Sequence, residues 1–137
     1  MDQRAARLLE RMRVATLATV SADGRPHLVP VVFALDGINL VTAVDGKPKR
    51  GPVLARIENI ARDSRVTLLS HLYEEDWSKL CWVRVDGTAA LEGGGARFEQ
   101  ALTALRNRYP QYESVDLTGP VIRITVEDTT TWEATPG

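Results

Sequence analysis

"VATLATVSADGRPHLVPVVFALDGINLVTAV", residues Val14–Val44, decides the fold. Its β-branched and small residues fall in short runs with a period near two, and Asp-Gly pairs at Asp23-Gly24 and Asp36-Gly37 punctuate them. The runs Val14–Val20, Pro26–Leu35 and Ile38–Val44 therefore read as successive strands of an antiparallel meander, in place before any long helix. Strands joined by tight turns need no crossover helix, which argues against a doubly wound nucleotide fold.

Working outward, Ala5, Leu8, Leu9 and Met12 repeat at i, i+3, i+4, i+7, so Asp2–Met12 reads as an amphipathic helix lying on a surface. On the other side, Pro52 opens a helix over Pro52–Arg62 with Val53, Leu54, Ile57, Ile60 and Ala61 on its stripe. Arg65–His71 is a fourth strand, and Leu80–Leu91 a fifth, bent or continued as a hairpin around Asp86-Gly87. Ala96–Tyr109 is a helix with Phe98, Ala101, Leu102 and Leu105 inward, stopped by Pro110, and Pro120–Ala134 closes as one long strand. The sum is an α+β, mainly β domain of about six strands, whose antiparallel sheet is expected to close into a barrel with flanking helices.

A length of 137 residues suits one domain over residues 1–137, and 44% hydrophobic with 26% charged residues is the composition of an ordinary globular chain. A net charge of -1 provides no global field for nucleic acid or an anionic membrane, so anion binding must come from local clustering. Cys81 is the single cysteine, which excludes an internal disulfide framework. No secretory signal or membrane-length apolar run is present, and a cytoplasmic setting is expected.

The residues of the dinucleotide, P-loop, zincin and hydrolase-elbow motifs are missing, which removes those mechanisms. His27 and His71 do not sit at ligand spacing with each other or with Cys81, so no metal site is expected. Cys81 lies between apolar neighbours and reads as a buried, inert thiol.

The basic stretch "VDGKPKRGP", Val44–Pro52, is the strongest candidate site. Lys47, Lys49 and Arg50 precede a helix start whose free N–H groups favour an anion, Arg56 follows one turn in, and Gly46 and Gly51 let backbone approach a ligand. The competing reading is a solvated basic loop. Trp77 and Trp82 form either a flat wall for a planar ligand or the seal of a barrel end. Glu74, Glu75 and Asp76 read as exposed loop charges.

The motifs "ATLATVSADGRPHLVPVVF", "VDGKPKR", "NIARDSRVTLL" and "DWSKLCWVRVDG", in that order, resemble the pyridoxamine 5′-phosphate oxidase-like superfamily of flavin and deazaflavin oxidoreductases. The likeness is to its actinobacterial branch that uses coenzyme F420. This resemblance implies a six-stranded antiparallel split β-barrel, the FMN-binding split barrel, assembled as a homodimer with the cofactor at the subunit interface. It implies that the ring rests near Pro30, Val31 and Thr42, that the phosphate meets Lys47, Lys49, Arg50, Arg56 and Asn59, and that Trp77 and Ser78 join from the partner. The implied activity is F420-dependent hydride transfer to a small conjugated substrate, with no essential catalytic side chain. The alternatives are an FMN-dependent enzyme of the same barrel and a non-catalytic flavin, deazaflavin or haem carrier. A small nucleic-acid-binding barrel is a more distant rival, disfavoured because the basic stretch lacks interleaved aromatics.

Overall fold

The computed structural model describes residues 1–44, 54–117 and 119–135. In chain order it contains α1 (Gln3–Glu10), β1 (Ala15–Val20), β2 (Pro26–Val31), β3 (Ala34–Asp36), β4 (Asn39–Ala43), α2 (Ala55–Arg62), β5 (Arg65–Leu72), β6 (Cys81–Glu92), α3 (Ala96–Arg108) and β7 (Val121–Glu133). The strands form one antiparallel seven-stranded sheet ordered β2-β1-β5-β6-β7-β4-β3. Both Asp-Gly turns form as expected, with Gly24 at φ 86° and Gly37 at φ 63°, the left-handed region a glycine enters without penalty.

Two expectations need correction. The sheet has seven strands rather than about six, because Pro26–Leu35 is not one strand but breaks at Val32-Phe33. Side chains take over the backbone groups of the break. Thr42 Oγ1 donates to Val32 O at 2.7 Å, while the Tyr109 hydroxyl accepts from Phe33 N at 3.2 Å and lies 2.8 Å from Phe33 O. A ladder cannot form where its donors and acceptors are already engaged. The sheet is also open rather than a closed barrel: β2 and β3 are its two edges, and no ladder joins them. Yet the same edges are consecutive in the chain, linked only through Val32-Phe33, so the opening in the sheet lies at this break.

Pro26 and Pro30 sit on the edge strand β2, where a missing N–H costs no ladder bond and discourages pairing with another sheet. The expected bend near Asp86-Gly87 is a register shift inside one continuous strand: Asp86 faces Asp128 and Gly87 faces Val126, leaving Glu127 as the extra residue of a β-bulge.

The main core gathers α1, the inner faces of β1, β5, β6 and β7, and Ile60 of α2, with Leu9, Phe33, Leu17, Leu68 and Val85 all fully buried. A second cluster forms where Phe98, Ala101, Leu102 and Leu105 of α3 cover Ala34, Val41 and Val121, the face of α3 read from its spacing. Asp2 caps α1 by accepting from Arg4 N at 2.7 Å. Helix α2 departs from its expected stripe: Leu54 and Ala61 are exposed, whereas Asn59 and Ile60 face inward. Its expected first residues, Pro52 and Val53, lie outside the described residues.

Candidate functional site

Three groups of expected site residues fall on three parts of the fold. Pro30, Val31 and Thr42 surround the break between β2 and β3. Pro30 is exposed at the end of β2, the Val31 side chain turns into the core, and Thr42 is buried with its hydroxyl committed to Val32 O. Any planar ligand here would meet β2 backbone and the Pro30 ring rather than a Val31 or Thr42 side-chain donor.

Arg56 and Asn59 lie on α2. Asn59 is 5% exposed, and its amide is used internally: Nδ2 donates to Thr19 Oγ1 at 2.9 Å and Oδ1 accepts from Arg62 Nη2 at 2.9 Å. Arg62 Nη2 also donates to Val20 O at 2.7 Å. Asn59 thus pins α2 to the end of β1, fixing the helix onto which the basic stretch leads. An asparagine on an inner helical face needs such partners, because an unsatisfied buried amide costs about 1–3 kcal/mol. Lys47, Lys49 and Arg50 themselves lie outside the described residues.

Trp77 and Ser78 lie in a short turn, Trp77–Lys79, connecting β5 to β6. Asp76 holds the turn, accepting from Ser78 N at 3.1 Å and from Ser78 Oγ at 2.6 Å. Trp77 is 76% exposed. The structure therefore does not bring Trp77 and Ser78 into one site with the residues of the strand break and α2 within this chain.

The outward sheet face carries Trp82, read from the sequence as a wall or a seal, together with residues the spacing did not single out. Across it, Leu28 pairs with Ala18, Thr16 with Leu69, His71 with Trp82, and Trp82 with Trp132. Leu69, His71, Tyr73, Trp82 and Arg84 line an open groove of about 440 Å³, in which the His71 and Tyr73 rings meet edge-to-face at 5.5 Å and the Arg84 guanidinium sits 5.8 Å from the Trp82 ring. Trp82 and Arg84 share this face, as alternation requires. Cys81 points inward, and burial pushes its thiol pKa up, away from nucleophilic character. Among the described residues no group of three or more His, Cys, Asp or Glu side chains is placed to hold a metal ion, and no helix is long and apolar enough to cross a membrane.

With this geometry in place, the family follows from a match to the pyridoxamine 5′-phosphate oxidase model over residues 1–133. The chain belongs to the pyridoxamine 5′-phosphate oxidase family. Solved structures share the fold. A conserved hypothetical protein of Mycobacterium tuberculosis, Rv2991, is 21% identical with a TM-score of 0.79, covering 98% of this chain and 85% of its own. A FAD-binding protein of Mesorhizobium loti is 20% identical with a TM-score of 0.70, covering 96% and 93%. A haem-binding protein of Mycobacterium smegmatis is 20% identical with a TM-score of 0.70, covering 95% of this chain but 58% of its own. No curated protein matches the chain. The FAD-binding and haem-binding proteins show that this fold serves cofactor-binding proteins.

Proposed function

We propose that the chain is a coenzyme F420-dependent oxidoreductase that transfers a hydride between the deazaflavin and a small conjugated organic substrate. The observation that carries this reading is the placement of α2. Asn59 and Arg62 lock the helix to β1, and in the sequence Lys47, Lys49 and Arg50 come just before that helix and Arg56 lies in its first turn, the order that suits an anion at a helix start. A phosphodiester followed by a chain of carboxylates matches that density of cations better than the single phosphate of FMN does.

The residues present fit such a group. The strand break leaves Pro30 exposed beside backbone, and its polar groups are satisfied internally, so a flat ring can lie there without stranding a buried donor. When bound, the reduced deazaflavin supplies the hydride. The chain's own contributions are to hold the anionic tail through Lys47, Lys49, Arg50 and Arg56, to set α2 through Asn59, and to present a rigid backbone edge at Pro30 and Val31. No side chain is assigned as acid or base.

The proposal includes a homodimer. The outward sheet face exposes Leu28 at 62%, Leu69 at 38%, Tyr73 at 63% and Trp132 at 40%, an apolar surface that no helix among the described residues covers. Its cation Arg84 is paired with Asp86 on the same strand at 3.8 Å, so two copies can meet there without net repulsion. The family resemblance assigns the Trp77–Ser78 turn to the partner's cofactor site in such a dimer. An FMN-dependent or carrier reading draws support from the FAD-binding and haem-binding structures that share the fold.

The test is Lys49→Ala/Arg50→Ala. Removing two phosphate-facing cations should weaken F420 affinity about tenfold to a hundredfold and flatten its dependence on salt, with the circular dichroism spectrum unchanged. Affinity equal to that of the unaltered chain at every ionic strength would return the stretch to a solvated loop.

A further inference from the structure

We propose that the cleft between the carbonyl ends of α1 and α3 is a second oxyanion site, taking a carboxylate or phosphate group of a small molecule. The inference does not depend on the identity of the cofactor. The cleft holds about 370 Å³ and is lined by Arg13, Val32, Arg108 and Tyr109, among others. That is room for a small acid or one arm of a larger ligand, not for a dinucleotide.

Both arginines cap helices, and their capping leaves donors over. Arg108 Nη2 donates to Leu9 O at 3.0 Å, reaches Glu10 O at 3.5 Å, and bonds Met12 O, closing the end of α1. Arg13 Nη1 donates to Arg108 O at 3.1 Å, closing the end of α3. A guanidinium carries five N–H donors, and the carbonyls occupy one nitrogen of each. Arg108 Nε is buried without a hydrogen-bond partner. The Phe33 ring 4.7 Å from Arg108 Cζ answers its charge but offers that N–H no acceptor in its plane.

The second observation is charge. Arg13 and Arg108 approach the same ring, with Cζ atoms 5.9 Å and 5.6 Å from the Tyr109 centroid. Among the described residues, every ion pair goes to other cations, and no carboxylate lies within 4.0 Å of either guanidinium. Two guanidinium charges share a cleft with no carboxylate beside them, and the Nη donors their capping leaves over are what an oxyanion would meet. A planar guanidinium fork favours a two-oxygen acceptor, hence carboxylate or phosphate rather than halide. Val32 places the cleft at the strand break.

The experiment follows the arginine Nε–Hε resonances of the ¹⁵N-labelled full chain while inorganic phosphate, and separately succinate, is titrated against sodium chloride of matched ionic strength. The Arg108 Nε–Hε signal should move downfield and saturate at millimolar anion. Movement with phosphate alone assigns a phosphoryl group, and movement with succinate alone assigns a carboxylate. Arg13→Gln, which leaves the Arg108 capping bonds in place, should weaken the response about tenfold. Lys49→Ala/Arg50→Ala should leave it unchanged, which separates this site from the proposed cofactor tail. If Arg13→Gln does not fold, Arg13→Lys keeps the charge, loses the fork, and should show the same weakening. An Arg108 signal that responds to neither anion, that responds equally to chloride, or that is indifferent to the Arg13 variant overturns the proposal.

Discussion

Replacing Arg123 by methionine probes the contact that secures the β3–β4 hairpin and, with it, the strand break. Arg123 lies on β7 and is 4% exposed. Its Nε donates to both oxygens of Glu92 at 3.0 Å, and its Nη2 bonds Asp36 Oδ2 at 3.0 Å and Arg97 O at 3.0 Å, so one guanidinium joins β3, β6 and the start of α3. Burial works against its charge, but the bonds to Glu92 and Asp36 outweigh it and raise its pKa. Methionine fills much of the same space, so the loss is dominated by Asp36, left largely buried without its ion pair, and by Glu92, which keeps only the Arg97 guanidinium at 3.6 Å. Breaking one partner of a buried pair costs about 3–5 kcal/mol. The Glu92 and Asp36 side chains keep 16% and 23% of their exposure, which places the cost near the lower end of that range. About 3 kcal/mol corresponds to a fall in Tm of roughly 10 °C for a chain of this size. Urea unfolding followed by circular dichroism should show a lower midpoint at an unchanged m-value. Adding Asp36→Asn should recover about 1–2 kcal/mol, because it removes the stranded charge. A variant within about 0.5 kcal/mol of the unaltered protein refutes the reasoning.

Two further outcomes check separate parts of the account. Leu69→Glu puts a charge in the centre of the outward sheet face and should convert a dimer to a monomer in sedimentation velocity with its circular dichroism spectrum intact; a dimer that persists places the interface elsewhere. Asp63 accepts from Arg65 through Nε at 3.0 Å and Nη2 at 2.7 Å, and these side-chain bonds hold its carboxyl down to about 2. Since that value is depressed, whatever stability the pair contributes is present above the ordinary carboxylate range and lost as pH falls through about 2. In Arg65→Ala the Asp63 midpoint read by carboxyl ¹³C NMR should rise towards that ordinary range, and an unmoved midpoint contradicts the assignment.

What was legible in the sequence were the features fixed by neighbours in the chain. The Asp-Gly turns set both hairpins, period-two runs set the strands, and the stripe on Ala96–Arg108 named the buried face of α3 correctly. What was not legible depends on contacts between distant residues. Val32-Phe33 is as β-prone as its surroundings, and only the Thr42 and Tyr109 hydroxyls, 10 and 76 residues away, break the strand there. That single break turned an expected strand into two and an expected closed barrel into an open sheet. In the same way, Asn59 faces inward against α2's apolar periodicity because Thr19, 40 residues earlier, receives its amide. The basic stretch shows the reverse: its charge pattern is plain in the sequence, while the helix it enters takes its position from bonds the pattern does not contain. Nothing in the spacing of Arg13 and Arg108 signals that they share the Tyr109 ring.

The central claim is that a deazaflavin with an anionic tail is this chain's cofactor. Side-by-side titration of the purified chain with F420 and with FMN, followed by the fluorescence of each cofactor, tests it most directly. The account predicts saturable F420 binding at least tenfold tighter than FMN binding, an advantage of about 1.4 kcal/mol that shrinks as salt is raised. Tight FMN binding with no response to F420 would contradict it.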